Sequence, residues 1–405
     1  MSASKMTMES QAQAYALAPW AEAAGRSRLQ EIMARTSSPE ILSLALGLPD
    51  LNLLPTQAMV ASAEQVFQQG PKLLQYAPQL ARLKTHIVHL MAQRNVKCTE
   101  AEVLLTTGAQ QAFSLLSHLL VRPRQPIFVE DYTYFGFLQS IKPSLPEVIT
   151  IGTGPEEGID VDEIEHKLER GIRPAYIYVI TEGHNPLAVS LSAEKRERLL
   201  EVARSWQVPI IEDDTYGLLQ YEQPLRPALK AHESELVLYV GSFSKILAPG
   251  LRVGWLVAPE RLIHPLALIK ESMDLDMVAL PQCLISSYIE TGALPGHLDL
   301  LRTTYGQRRE RMLAALRREK IPGAAWKEPQ AGLFIWLQLA SHLDAEGLFE
   351  HALRQERLAF VPESAFSSEN GSRINGARLN YSSPNLEAID EGIARLARAI
   401  STYGR

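Results

Sequence analysis

The middle of the chain alternates short apolar runs, typical of β-strands, with longer segments of helical periodicity. Alternation of this kind is typical of a parallel sheet whose strands are joined by helices. The predicted strands are residues 102–106, 126–130, 147–151, 175–180, 208–212, 236–240 and 253–257. The predicted helices between them are residues 110–121, 161–170 and 193–206. The sequence therefore predicts an α/β fold built on a mainly parallel, seven-stranded sheet lying between helices.

The pattern changes from about residue 260 onward, where the predicted helices become longer and more charged. The remaining predicted elements are helices at 298–320, 345–355 and 386–400 and strands at 333–339 and 377–381. We predict a large α/β domain at 46–290. A smaller α+β domain would combine 1–45, which includes an N-terminal arm, with 291–405.

Composition excludes several classes of protein. The net charge is −6, from 40 basic and 46 acidic residues, which argues against a nucleic-acid or anionic membrane partner. The two cysteines, Cys98 and Cys283, have no metal-type spacing, so we expect neither a disulfide framework nor a bound metal. No basic segment followed by an apolar core opens the chain, and no apolar run is long enough to span a bilayer. We therefore expect a cytoplasmic protein.

Residues 241–254 are the richest segment in reactive side chains. Lys245 follows a predicted strand, Ser242 and Ser244 flank it, and Arg252 comes seven residues later. A lysine in such a turn can form a Schiff base, and hydroxyls with an arginine can hold a phosphate. The residues alone allow a second interpretation, a surface lysine in a polar turn.

Three further segments follow predicted strands. Asp213 and Tyr216 come directly after one strand, Asn185 after another, and the turn 107–110 precedes a helix. Taken singly, the acids at 212–214 could cap a helix or bind a cation, Asn-Pro is a common turn, and free N–H groups at a helix start bind many anions. Ligands bind at the carboxyl edge of open α/β sheets, and all of these segments are predicted to lie there.

An amine, a carboxylate, an amide, a phenol and a phosphate cradle are thus predicted at one edge. That set suits pyridoxal 5′-phosphate (PLP). The PLP aldehyde needs a lysine, its ring nitrogen a carboxylate, its ring oxygen hydrogen-bond donors, and its phosphate N–H groups, hydroxyls and an arginine.

Four motifs carry a resemblance that spans nearly the whole chain. They are GLPD at 47–50, LQYAP at 74–78, SFSKILAPGLRVGW at 242–255 and ARLNYS at 377–382. With these motifs the chain resembles the fold-type I, class I/II PLP-dependent aminotransferases. Within that group it resembles the kynurenine/2-aminoadipate branch and the catalytic-like domain of the MocR regulators.

The resemblance implies a role for each cofactor-site residue. Lys245 would hold PLP as an internal aldimine and move the proton, Asp213 would pair with the pyridinium nitrogen, and Asn185 and Tyr216 would bind the ring hydroxyl. Tyr134 would stack on the ring, although an ordinary core aromatic is the alternative. The residues expected around the phosphate are Gly108, Ala109, Gln110, Ser242, Ser244 and Arg252.

The resemblance also implies substrate and partner contacts. Arg378 would form a bidentate pair with the substrate α-carboxylate, the backbone at Gly47 would close over it, and Asn185 would contact the substrate as well as the cofactor. Tyr76 matches a tyrosine that reaches the phosphate in the neighbouring subunit. We therefore expect a homodimer with shared active sites.

Departures from the family pattern cluster on the substrate side. Leu187 and Ala188 stand where relatives usually have Thr-Gly, and Leu46 stands where they often have glycine. Gln30 aligns with an arginine of 2-aminoadipate enzymes. Arg308 and Arg309 are interpreted as solvated helix surface.

The resemblance implies an aminotransferase that moves an amino group from an L-amino acid to a 2-oxo acid in a ping-pong reaction. An alternative is a PLP enzyme catalysing elimination, decarboxylation, racemisation or cyclisation in a biosynthetic pathway. A ligand sensor like the MocR regulators is a third hypothesis. The roughly 40 residues before the first motif are too few for the DNA-binding domain of those regulators.

Overall fold

The computed structural model describes residues 18–22, 28–36, 38–366 and 374–403. Most of its strands belong to two main sheets, one of seven strands and one of four. The strands are β1 (Leu42–Ser43), β2 (Val103–Thr106), β3 (Pro126–Glu130), β4 (Glu147–Ile151), β5 (Thr153–Gly154), β6 (Gly158–Ile159), β7 (Ile177–Ile180), β8 (Ile210–Asp213), β9 (Val237–Ser242), β10 (Gly254–Val257), β11 (Ala324–Trp326), β12 (Phe334–Leu339), β13 (Leu358–Ala359), β14 (Val361–Pro362) and β15 (Gly376–Asn380).

Helices cover both faces of the larger sheet and pack on the smaller one. The α-helices are α1 (Pro19–Glu22), α2 (Arg28–Arg35), α3 (Thr56–Gln68), α4 (Ala81–Ala92), α5 (Ala109–Leu120), α6 (Phe135–Ile141), α7 (Val161–Glu169), α8 (Ala193–Trp206), α9 (Glu260–Asp274), α10 (Ala279–Glu290), α11 (Ala293–Glu319), α12 (Ala345–Gln355) and α13 (Leu386–Thr402). Short 3₁₀ turns occur at Leu51–Leu53, Pro71–Leu74, Glu100–Glu102, Lys142–Ser144, Leu229–Ala231, Pro249–Leu251 and Glu363–Ala365.

The larger sheet has seven strands in the order β2-β10-β9-β8-β7-β3-β4. Strand β10 runs antiparallel to both of its neighbours, and the remaining pairs are parallel. The predicted α/β fold class is therefore confirmed. All seven predicted strands form, with ends that differ from the prediction by at most two residues. Their nearly continuous apolar sequences are typical of strands buried on both faces.

Side chains alternate between two cores on opposite faces of this sheet. Ile127 and Tyr178 point into one core, which α5, α6 and α9 cover, and Phe128 and Ile177 point into the other, which α7 and α8 cover. The helices lock the strand register, because a slip of one residue would exchange the two cores. Residues just beyond the carboxyl ends of the strands are thereby held at fixed positions.

The smaller sheet has four antiparallel strands in the order β11-β12-β15-β14. The long helix α11 and the C-terminal helix α13 pack against each other beside it. Strand β1 pairs in parallel with β13, so the chain passes along this unit before it enters the larger sheet. This arrangement supports the two-domain division expected from the sequence, which stays a prediction.

The interpretation of Arg308 and Arg309 as solvated surface is wrong. Arg308 is only 9% exposed, and its guanidinium pairs with the carboxylate of Asp50. The Arg309 guanidinium lies 4.6 Å from the ring centre of Tyr221 and donates a 2.7 Å hydrogen bond to the carbonyl of Pro329. Helix α11 carries so many charges that its sequence does not show which of its faces is covered.

No helix in the described part of the chain is both long and apolar enough to cross a bilayer. The side chain of Gln30, which aligns with an arginine of 2-aminoadipate enzymes, lies outside the described residues, as do the side chain of Arg28 and all of Arg26, two nearby arginines that could replace it.

Helix α8 begins with an exposed capping residue that can be tested by substitution. The hydroxyl of Ser192 accepts a 3.1 Å hydrogen bond from the Lys195 N–H. Ser192→Ala leaves that N–H unpaired, so we expect the free energy of unfolding to fall by about 1 kcal/mol. Ser192→Asp keeps an acceptor and should retain the stability. Denaturant titration of the three proteins measures the difference, and equal loss in both variants would contradict the capping role.

Candidate active site

A cavity of about 310 Å³ opens where the carboxyl ends of the larger sheet meet the smaller sheet. The residues that line it are Ala45, Leu46, Gly47, Leu48, Ala109, Gln110, Tyr134, Ile180, Asn185, Asp213, Thr215, Tyr216, Ser242, Ser244, Lys245, Pro249, Arg252, Phe334 and Arg378. All the site residues predicted from the sequence are among them except Gly108 and Tyr76. The strand register explains this convergence, because Asp213 lies opposite Ile180 and Val240, and Ser242 lies opposite Gly254.

Lys245 lies in the turn three residues beyond the end of β9. Its Nζ donates a 2.9 Å hydrogen bond to the carbonyl of Gly47. Burial, together with the positive charges of Arg378 and Arg252, lowers the pKa of the Lys245 amine from 10.5 to about 8. A neutral amine, which is the nucleophilic form, is therefore accessible near neutral pH.

Asp213 ends β8 and receives hydrogen bonds on both carboxylate oxygens. The Tyr178 hydroxyl donates to Oδ2 at 2.7 Å, and the Thr215 hydroxyl donates to Oδ1 at 2.6 Å. Burial raises the pKa of Asp213, while these hydrogen bonds oppose the rise. The carboxylate is thus held in one orientation at the inner end of the cavity.

A second group of residues forms an anion cradle beside Lys245. Helix α5 begins at Ala109 and presents its free N–H groups to the cavity. The Ser242 hydroxyl donates to the Ser244 hydroxyl at 3.0 Å, and within the described part of the chain the Arg252 guanidinium donates hydrogen bonds only to the carbonyl oxygens of Thr107 and Pro249. The cradle therefore offers hydrogen-bond donors and a positive charge without a carboxylate.

Gly108 precedes this helix and takes a left-handed φ of 78°. It does not line the cavity, but a Cβ there would lie 2.5 Å from an Arg252 Nη. Glycine at this position thus leaves room for the guanidinium, and the phosphate role of Gly108 stays a prediction.

Arg378 lies on β15 and reaches into the cavity from the smaller sheet. It donates 2.6 Å and 2.7 Å hydrogen bonds to Asn185 Oδ1 and to the carbonyl of Ala45. Its guanidinium carbon lies 4.1 Å from the ring centre of Phe334. Burial lowers the pKa of Arg378 to about 10, and its Nε has no hydrogen-bond partner among the described residues. A buried guanidinium held by neutral oxygens can still bind a carboxylate.

The turn after Asn185 forms without the glycine that relatives usually have. Ala188 takes the left-handed φ of 60° itself, and its N–H donates to the carbonyl of His184 at 2.6 Å. The His184 imidazole accepts a 3.2 Å hydrogen bond from the Leu187 N–H. His184 therefore supports the turn that presents Asn185 to Arg378.

Two tyrosines border the cavity. Burial raises the pKa of both the Tyr216 and the Tyr134 hydroxyl, so both stay protonated and can donate hydrogen bonds. Tyr76, in contrast, is 81% exposed and lies in a separate surface depression with Lys84 and Lys270. Within a single chain Tyr76 does not reach the cavity.

Sequence reasoning missed several side chains of the site. Tyr178 and Thr215 hold Asp213, and Ile180 and Phe334 supply apolar walls. Thr215 directly follows the acids at 212–214, and a hydroxyl residue two positions after an aspartate is typical of a turn. Phe334 comes from a distant strand, and nothing local in its sequence marks it.

A family model described as aminotransferase class I and II matches residues 39–396. The chain belongs to this family. The aromatic-amino-acid aminotransferase 1 of Thermococcus litoralis is 33% identical over 92% of this chain and 91% of that protein. The prediction of an aminotransferase is therefore confirmed.

Two solved structures extend the comparison to ligands. The α-aminoadipate aminotransferase of Thermus thermophilus, complexed with N-(5′-phosphopyridoxyl)-L-leucine, is 33% identical, with 95% of this chain and 98% of that chain covered and a TM-score of 0.82. The kynurenine aminotransferase of Pyrococcus horikoshii, in complex with PMP, is 29% identical, with 99% and 100% covered and a TM-score of 0.91. These comparisons support PLP as the cofactor of the aminotransferase.

The cavity of this aminotransferase fits PLP on its own chemistry. It contains an amine with a lowered pKa, an oriented carboxylate, and a cradle of N–H groups, hydroxyls and a guanidinium that no carboxylate neutralises among the described residues. These are the groups that the aldehyde, ring nitrogen and phosphate of PLP require.

The lowered pKa of Lys245 predicts a pH-dependent effect on stability. In the PLP-free protein, burying the charged amine costs stability below pH 8. The cost fades as pH rises toward 10.5, because the folded amine is then neutral and the unfolded amine becomes neutral too. Lys245→Met should therefore be more stable than the unsubstituted protein at pH 7 and equal to it near pH 11. Unfolding titrations across this range provide the measurement, and a gap independent of pH would contradict the shifted pKa.

Proposed function

We propose that this cavity binds PLP and uses it to move the amino group of an L-amino acid to a 2-oxo acid. The observation that carries the proposal is the meeting of Lys245, Asp213 and Arg378 at one cavity. Lys245 has an accessible neutral form, Asp213 is an oriented carboxylate, and Arg378 is a buried guanidinium that receives no carboxylate from the described residues.

Each side of the cavity would hold one part of the cofactor. The start of helix α5 (Ala109 and Gln110), Ser242, Ser244 and Arg252 would hold the phosphate. Asp213 would accept the hydrogen bond of the ring nitrogen. Asn185 and Tyr216 would bind the ring oxygen, and Tyr134 would cover one face of the ring.

When bound, PLP supplies an aldehyde that condenses with amines and a protonated ring that accepts electrons from the substrate α-carbon. Asp213 would keep the ring nitrogen protonated. Hydrogen bonds on both of its oxygens favour the ionised carboxylate, and that negative charge favours a cation beside it. Lys245 Nζ would take the proton from the substrate α-carbon and would then deliver it to the carbon that belonged to the aldehyde of the cofactor.

Arg378 would orient the amino acid through its α-carboxylate. The hydrogen bonds to Asn185 and Ala45 and the contact with Phe334 fix the plane of the guanidinium. Leu46, Leu48 and Ile180 make the remaining walls apolar, so we expect donors with apolar or aromatic side chains to react faster than aspartate.

The function is tested by half-reactions of PLP-loaded protein with single amino acids, without an oxo acid. We expect some amino acids to convert the cofactor to its pyridoxamine form, which absorbance records. Lys245→Ala should abolish this conversion. Arg378→Lys should raise the donor concentration for half-saturation about 100-fold, since a single point charge replaces a bidentate fork.

The dissociation constant of PLP, measured by fluorescence titration, serves as the internal control for Arg378→Lys and should stay nearly unchanged. Equal losses of donor and PLP affinity would contradict the assigned role of Arg378. Amino acids that perturb the cofactor spectrum without forming pyridoxamine would instead indicate one of the other PLP reactions.

We further propose that the working unit is a homodimer in which Tyr76 completes the partner's phosphate site. Large apolar side chains are exposed near Tyr76, among them Leu74 at 76% and, in the same surface depression, Leu275 at 56%. An exposed apolar surface of this kind is typical of an interface. The cytoplasmic location and the absence of nucleic-acid and membrane partners stay predictions from the sequence.

Subunit mixing tests the shared site. Lys245→Ala and Tyr76→Ala homodimers should both be impaired at limiting PLP. A heterodimer of the two would contain one intact site, with Lys245 from one subunit and Tyr76 from the other. After random exchange, half of the dimers carry one intact site of two, so about a quarter of the full activity should return. No recovery in mixtures whose exchange is verified by mass spectrometry would contradict the shared site.

A further inference from the structure

Residues 44–50 form an extended segment, here called the strap, that lies along the cavity between β1 and the 3₁₀ turn Leu51–Leu53. Leu46, Gly47 and Leu48 of the strap line the cavity. A Cβ on Gly47 would lie 2.4 Å from the Phe334 ring, so the strap backbone packs directly on the ring that supports Arg378. The position of the strap therefore shapes the substrate side of the site.

Three hydrogen bonds tie the strap backbone to β15 and the residues after it. The Asn380 N–H donates to the carbonyl of Leu44, Arg378 donates to that of Ala45, and the Ser382 hydroxyl donates to that of Leu48, each at 2.7 Å. Between these anchors, the carbonyl of Gly47 accepts the hydrogen bond from Lys245 Nζ, which comes from the turn after β9 in the larger sheet. Since β15 also carries Arg378, strap and substrate arginine share one support.

The far end of the strap is held by a buried ion pair. The Asp50 carboxylate pairs with Arg308 of helix α11, and the same guanidinium donates to the carbonyl of Ser382. Asp50 is 6% exposed, and its backbone N–H donates a 3.3 Å hydrogen bond to the Tyr305 hydroxyl. Arg308 thus bridges the end of the strap to the residue that anchors Leu48.

This geometry does more than a stabilising ion pair requires. Burying two charges costs desolvation that their attraction repays only in part, so a buried pair is weak evidence for a stabilising role. The planar guanidinium instead contacts two chain segments at once and fixes their separation. Asp50 lies two residues from Leu48, and Ser382 hydrogen-bonds to the Leu48 carbonyl, so both contacts act on a residue that lines the cavity.

We propose that Arg308 is a positioning residue for substrate binding. By bridging Asp50 and Ser382 it holds the strap, and through the strap it sets the place of Leu46, Leu48 and the Arg378 guanidinium. The inference rests on the proposed function, because it takes Arg378 as the group that binds the substrate carboxylate. Most residues proposed for PLP follow strands of the larger sheet, so we expect the affinity for PLP to depend little on this bridge.

The experiment compares Arg308→Gln with Arg309→Gln in the PLP-loaded protein. Arg309 is the matched control, since it is the next residue of the same helix but contacts Tyr221, Pro329 and Glu310 instead of the strap. Two quantities are measured: amide hydrogen exchange of peptides that cover the strap, and donor half-saturation in the half-reaction beside the dissociation constant of PLP.

For Arg308→Gln we expect strap exchange at least about 10 times faster and donor half-saturation raised about 10-fold or more, with PLP affinity unchanged. Arg309→Gln should change none of these. Unchanged strap exchange and donor affinity in Arg308→Gln would overturn the proposal. So would equal losses of donor and PLP affinity with faster exchange throughout the smaller sheet, because that is general destabilisation.

Two further variants keep the test decisive if Arg308→Gln folds poorly. Arg308→Lys retains the charge facing Asp50 but cannot bridge to Ser382 as a planar fork, so its donor affinity should lie between those of Arg308→Gln and the unsubstituted protein. Asp50→Asn combined with Arg308→Gln leaves no unpaired buried charge and should restore folding while the donor affinity stays low. Full recovery of donor affinity in the double variant would overturn the proposal.

Failure of the proposed function is distinguishable from failure of this inference. If the unsubstituted protein formed no pyridoxamine with any amino acid, the proposed function would fall. The exchange measurement would still decide whether Arg308 holds the strap.

Discussion

The burial of two cations against neutral oxygens is the constraint on which the rest of the site depends. Lys245 contacts the carbonyl of Gly47, and Arg378 contacts a side-chain amide and the carbonyl of Ala45. Burial lowers the pKa of both groups, since neither receives a carboxylate from the described residues. A cavity of this kind favours anions, such as a phosphate beside Arg252 and an α-carboxylate beside Arg378.

The packing of the larger sheet holds the site residues in place although burying their charges costs free energy. Its two cores lock the register of β7, β8 and β9, and the turns after these strands have little freedom to move away from one another. Asp213 gains a further restraint from Tyr178 and Thr215, which hold the carboxylate against the cost of its burial. Orientation by packing costs no reorganisation during a reaction, which is the physical basis of a preorganised site.

The smaller sheet contributes the part of the site that we propose to recognise the substrate. Strand β15 places Arg378 in the cavity and anchors the strap, and the strap returns two leucines to the same wall. Most residues proposed for the cofactor thus follow strands of the larger sheet, whereas Arg378 and its anchors to residues 44–50 belong to the smaller sheet. The departures from the family pattern lie mostly on the substrate side, where Leu46 and the turn at Leu187 and Ala188 border Asn185 and Arg378. Such a division allows substrate preference to change while cofactor binding is kept.

The seven strands of the larger sheet, three of the helices beside them and most of the polar residues that line the cavity could be predicted from the sequence, because apolar periodicity and strand-end motifs are local signals. The roles of three other residues could not be predicted, because they arise from contacts with residues distant in the sequence. Phe334 contacts Gly47 and Arg378, Tyr178 contacts Asp213, and Arg308 contacts Asp50. Arg308 is the clearest case. Its sequence neighbourhood is that of a solvated helix, and only the packing of α11 against the strap buries it. The sequence by itself determined which chemical groups meet at the sheet edge, whereas tertiary structure decided which charges are buried and what they hold, because burial depends on packing that no local pattern encodes.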